Sequence, residues 1–118
     1  MNLFIDMFLQ QIPLKIKKID FYTKPVSSSW GIPKLQSFCA EEFGTENLSQ
    51  HGFLFMNSKR NVLRLLYVDN DSSQLLERML IEGTFLTPVG TSDSNWVQLS
   101  RESLPAMMKV EKKSTKRR

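Results

Sequence analysis

The stretch from His51 to Phe85 reads HGFLFMNSKRNVLRLLYVDNDSSQLLERMLIEGTF, and it decides the fold. Two apolar runs, residues 53–56 and 62–68, flank a polar and basic connection, Asn57-Ser58-Lys59-Arg60-Asn61. Apolar runs of this length between turn residues predict buried strands, and these two are expected to pair as an antiparallel hairpin. Alternation along the second run puts Leu63, Leu65 and Tyr67 on one face and Val62, Leu66 and Val68 on the other, with Arg64 among the latter. A guanidinium within a largely apolar face needs an acidic partner or a route to solvent.

A second polar break, Asp69-Asn70-Asp71-Ser72, leads into residues 73–82, which carry two messages. Ser73 can cap a helix, Gly83 can end one, and Leu75, Leu76, Met79 and Leu80 share a helical face. Against that, the connecting turn is short and sequential strands tend to pair. The residues alone leave helix and strand open over 73–82.

Upstream, residues 14–22 alternate Leu14, Ile16 and Ile19 with Lys15, Lys17 and Lys18, followed by Phe21. This predicts a strand at a sheet edge, where lysines discourage pairing with other chains. After the loop Lys24-Pro25-Val26-Ser27-Ser28-Ser29, a helix is expected from about Gly31 to Phe43. Pro33 suits its first turn, Gly44 its end, and Ile32, Leu35, Phe38, Cys39 and Phe43 form one stripe. Trp30 can cap the core at the helix entrance or offer a stacking platform for a base; capping is the simpler role. Downstream, residues 87–94 form a loop, Trp96-Val97-Gln98-Leu99 a short strand, and Leu104, Met107 and Met108 a terminal helix capped by Ser103 ahead of Pro105.

Residues 1–9, MNLFIDMFL, are too short and too interrupted by Asp6 for a span of about 20 apolar residues. They also lack the basic start of a secretory signal. Leu3, Phe4, Met7 and Phe8 fall at helical spacing, so a helix within residues 1–12 is expected to pack on the body or on a second copy of the chain.

The net charge of +4 and isoelectric point near 9.4 invite a nucleic-acid reading. Residues 1–108, however, hold ten Lys and Arg against eleven Asp and Glu; the excess lies in residues 109–118. That tail, with Lys112, Lys113, Lys116, Arg117 and Arg118, lacks a core to join and is expected to be disordered. One Cys, Cys39, and one His, His51, leave no disulfide and no Cys- or His-rich metal cluster, and no cofactor is expected. Cys39 sits on the apolar stripe and reads as a small core residue. Asp69, Asp71, Glu77 and Glu82 are the carboxylates a two-metal nuclease would need, but two of them sit in a turn, where capping is their ordinary role. The chain therefore reads as non-catalytic.

Several pieces then line up. They are Tyr22-Thr23-Lys24-Pro25, Phe53-Leu54-Phe55-Met56-Asn57, Lys59-Arg60-Asn61 and Arg64-Leu65-Leu66-Tyr67, followed by Arg78-Met79-Leu80-Ile81-Glu82-Gly83-Thr84-Phe85 and Ser100-Arg101-Glu102-Ser103-Leu104. In order and spacing these resemble the small accessory protein, often labelled TnpB, of insertion sequences of the IS sixty-six family, over about residues 20–108. Ser27-Ser28-Ser29-Trp30 stands where the family usually has D-M-R-K, and Val68 where it has Trp, so this is a divergent copy.

The resemblance implies an α+β domain over residues 1–108, an antiparallel β-meander that continues through a strand over 73–82, with one main helix packed on it and short terminal helices. It also implies a cytoplasmic accessory factor that assists transposition by binding DNA, the transposase or both. The basic residues Lys59, Arg60, Arg64 and Arg78 are the candidate nucleic-acid contacts, with the five tail cations named above adding non-specific attraction. The alternative is a protein-interaction module without DNA contact, using the apolar N-terminus and a sheet edge.

Overall fold

The computed structural model describes residues 8–69, 71–88 and 94–108, and the backbone of 110–111. In chain order its strands and α-helices are β1 (Lys18–Tyr22), α1 (Ile32–Phe43), β2 (His51–Met56), β3 (Val62–Asp69), β4 (Ser72–Met79), β5 (Thr84–Phe85), β6 (Trp96–Ser100), α2 (Leu104–Met107) and β7 (Val110–Glu111). Short 3-10 turns cover Thr45–Gln50 and Arg101–Ser103. The main sheet runs β4-β3-β2-β1-β6, and β5 pairs with β7 in a separate ribbon. The fold is α+β.

The hairpin β2–β3 pairs as its apolar pattern predicts, from Gly52↔Tyr67 to Met56↔Leu63. β4 then adds eight register pairs along β3, from Val62↔Met79 to Asp69↔Ser72. Local helix propensity in this segment loses to that ladder, because a strand here hides Leu75 and Leu76 against the sheet's two apolar layers. Ser73 Oγ also donates to Gln36 Oε1 on α1, fixing the helix over the strand.

The meander is not the whole sheet. β1 runs parallel to β2, from Lys18↔His51 to Phe21↔Leu54, because α1 carries the chain back between them. β6 pairs antiparallel on the other side of β1, so β1 is interior and not the edge that its lysines suggest. The strand also starts later than the alternation implies. Residues 13–16 close a turn through Ile16 N–H to Pro13 O, leaving Leu14 77% exposed.

Both faces are apolar and both are covered. On one, Leu35 and Cys39 of α1 pack with Phe53, Phe55 and Leu66. The helix ends as expected at Gly44, whose φ of 86° suits glycine and whose N–H donates to Ala40 O. On the other face, Phe8, Ile12 and Ile16 join Leu104, Met107 and Met108 over Leu54, Leu63 and Leu65. Residues 8–10 are helical and Phe8 is buried in the body; the remainder of the expected N-terminal helix lies outside the described residues. Arg101 locks this layer. Its guanidinium donates to the carbonyls of Leu9 (3.0 Å), Ile12 (2.6 Å), Pro13 (2.7 Å) and Ile16 (3.2 Å).

Candidate nucleic-acid interface

The strand directions sort the charges. β1 and β2 finish, and α1 and β3 begin, at one end of the sheet, where the 57–61 hairpin tip projects. Among the described residues that end carries Lys24, Lys34, Lys59, Arg60 and Arg78 against Glu82. The opposite end gathers Glu41, Glu46, Asp69, Asp71 and Glu102 against Lys15, Lys17 and Lys18, and Lys15 pairs with Asp69 at 2.8 Å, whereas Glu42 accepts from the Trp96 indole N–H at 3.0 Å. A body with almost no net charge is thus polarised along its strands. Net charge alone gives no sign of this.

The tip is tied by hydrogen bonds within itself. Asn57 Oδ1 accepts from the N–H groups of Asn61 and Val62 at 3.0 Å each, and Asn57 Nδ2 donates to Asn61 Oδ1 at 2.7 Å. Arg60 adopts φ 58°, a left-handed conformation that ordinary side chains avoid. Its N–H donates to Asn57 O, and its carbonyl accepts from Phe85 N–H at 2.8 Å. Lys59 and Arg60 are exposed, as the sequence predicts.

The two sides of the tip differ. On the α1 side a cleft of about 570 Å³ opens between the 25–28 loop and the hairpin, with Lys59 on its wall. On the other side a smaller cleft of about 180 Å³ includes Lys24 and Arg60.

The remaining candidate contacts fall in different places. Arg78 is half-buried on β4 opposite Leu63, close to the tip. Arg64 is only 6% exposed, opposite Glu77, with Nε 3.1 Å from Oε1. The approach has ion-pair distance without hydrogen-bond alignment, so Nε and Nη1 find no hydrogen-bond partner among the described residues. Arg64 is placed as a buried cation held by an acid, which withdraws it from surface contact. Lys112, Lys113, Lys116, Arg117 and Arg118 lie outside the described residues. Two residues of the stretch expected to be tail, 110–111, form β7.

Trp30 packs edge-on against Phe38 and carries the Lys34 ammonium 4.3 Å above its ring, so it serves the helix entrance. Cys39 is fully buried; burial pushes its thiol pKa up, and the Asp20 and Glu42 carboxylates push the same way. Asp20, buried in mid-sheet, takes His51 Nδ1 at 2.5 Å and Gln98 Nε2 at 3.4 Å. Sequence reading missed this polar cluster, because nothing local links three strands. Among the described residues no three His, Cys, Asp or Glu side chains are grouped to hold a metal ion. Nor is any described helix long and apolar enough to cross a membrane.

The family profile described as "IS66 Orf2 like protein" matches residues 17–117. No curated protein and no solved structure matches the chain.

Proposed function

Because the chain belongs to the IS66 Orf2-like family, we propose that it assists transposition as a non-catalytic accessory protein that holds DNA phosphates at the basic end of its sheet. The family supplies the setting, that of a transposon-associated accessory protein. The observation that carries the DNA reading is the polarised charge, with Lys24, Lys34, Lys59, Arg60 and Arg78 drawn to one end of a body without excess positive charge. Such a cluster attracts phosphates without regard to base sequence. Lys59 and Arg60 lead, Lys24 and Arg78 flank them, and the tail cations add non-specific attraction. Arg64 supports the hairpin from behind. The partners are then DNA and the element's transposase, in the cytoplasm.

One observation favours a second reading, docking to another protein. β4 is an edge strand; its last residue, Met79, is 66% exposed, and Ile81 just beyond it is fully exposed. Salt separates the two, since phosphate binding weakens steeply as ions are added and apolar docking does not.

The deciding experiment titrates duplex DNA at several salt concentrations into a chain ending at Glu111, which keeps β7 but removes five cations. The Lys59→Ala, Arg60→Ala double variant should bind more weakly on every sequence, with the salt slope flattened by roughly one unit per lost phosphate contact and melting unchanged. If the shortened chain does not bind at all, the body is no nucleic-acid surface and the docking reading takes its place.

A further inference from the structure

The cleft on the α1 side of the tip has a chemistry that the phosphate reading does not use. Its wall is polar, with Ser27, Ser28, Ser58 and the Lys59 ammonium, and its floor is apolar, with Val26, Val62 and Met79. Among the described residues no acidic side chain lines it. Resting on the DNA reading above, we propose that this cleft seats one unpaired nucleotide, with its phosphate against Lys59 and the serine hydroxyls and its base on the Val62–Met79 floor.

Four observations converge. The volume of about 570 Å³ lies within the range of small-molecule sites, about 300–1,000 Å³. The floor is a cross-strand pair, Val62↔Met79, and Met79 is 66% exposed although large and apolar. A thioether beside a flat ring is a favourable contact, so a base would cover what is now wet apolar surface. The walls are held in place without a ligand, because Asn57 ties the hairpin internally and Val26 N–H donates to Met56 O at 3.0 Å. Finally, Arg64 lies on the same face one row behind Val62, buried, with two nitrogens that have no hydrogen-bond partner among the described residues. Glu77, half-exposed and 3.1 Å from Nε, offsets its charge from the β4 side. A duplex keeps its bases stacked, so the nucleotide that enters must come from a single strand or a frayed end.

Amide chemical shifts of the full chain, titrated with a deoxynucleoside monophosphate, the matching nucleoside and inorganic phosphate, test this. The monophosphate should move residues 27, 28, 58, 59, 62 and 79 together. Phosphate alone should move chiefly the neighbourhood of Lys59, and the nucleoside should act only weakly. Lys59→Ala should weaken the monophosphate by about tenfold, the loss of one charge-assisted contact. Ser28→Phe, on an exposed loop, should fill the cleft and abolish the shifts. Absence of monophosphate shifts in the cleft, or shifts that survive Ser28→Phe, would overturn the proposal. Arg60→Ala separates it from the duplex reading, because Arg60 faces the other cleft. That variant should weaken duplex binding and spare the mononucleotide. A protein that ignores duplex yet takes the monophosphate keeps the cleft and loses the duplex reading. Duplex binding without cleft shifts gives the reverse.

Discussion

Arg64 and Glu77 face each other across β3 and β4, and the acid is what makes the cation tolerable on an apolar face. Removing one partner of a fully buried pair costs about 3–5 kcal/mol, and half-exposure of Glu77 should reduce this to about 2 kcal/mol for Glu77→Ala. Replacing both, as Arg64→Met with Glu77→Leu, should recover most of the loss, because neither charge then has to be kept from water. Urea unfolding of the parent and the two variants measures both effects. A Glu77→Ala protein as stable as the parent would show that the pair does not matter to the fold.

The Arg101 fork should not accept lysine. A single ammonium cannot reach four carbonyls spread over residues 9–16. Arg101→Lys should cost about 2 kcal/mol and release the N-terminal layer first. Limited trypsin digestion, read by mass spectrometry, should show earlier cleavage after Lys15 and Lys17.

Arg60 combines backbone strain with exposure. Arg60→Gly should relieve the left-handed strain and raise stability by about 0.5–1 kcal/mol while lowering DNA affinity. Melting and binding are then expected to move in opposite directions. Movement in the same direction would mean that the turn, and not the charge, is what DNA senses.

Cys39 supplies a pH dependence with a definite sign. Its raised pKa keeps the folded thiol protonated, whereas an unfolded cysteine ionises near pH 8.5. Above that value the unfolded chain holds fewer protons, so stability falls as pH rises, by about 1.4 kcal/mol per unit until other groups titrate. The contribution is fully present below that pH. Denaturant midpoints measured from neutral to alkaline pH should show this slope in the parent and lose it in Cys39→Ala.

The hairpin and its two faces are legible because apolar alternation and the Asn-rich turn point the same way, and the stripe of α1 is legible for the same reason. The strand over residues 72–79 needed more than propensity, since its helix-like composition is overruled by a neighbour it meets only in the fold. The parallel pairing of β1 with β2 could not be read from residues 14–22, because lysine alternation looks the same beside an edge as inside one. Lys59 and Arg60 stood out as a turn between apolar runs. The gathering of Lys24, Lys34 and Arg78 around them depends on which ends of the strands coincide. Likewise, Arg101 passes for a surface residue in Ser100-Arg101-Glu102, and only the return of residues 8–16 reveals its partners.

The interior position of β1 bears on how the chain leaves the ribosome. Its first neighbour, β2, emerges some thirty residues later, and its second, β6, only when the domain is almost complete, since Tyr22 waits for Trp96. Throughout that interval β1 is an open border of a half-built sheet, and such borders are where nascent chains aggregate. Lys18, which has no edge to guard in the finished protein, then stands at the start of this temporary one during synthesis, with Lys17 just ahead of it.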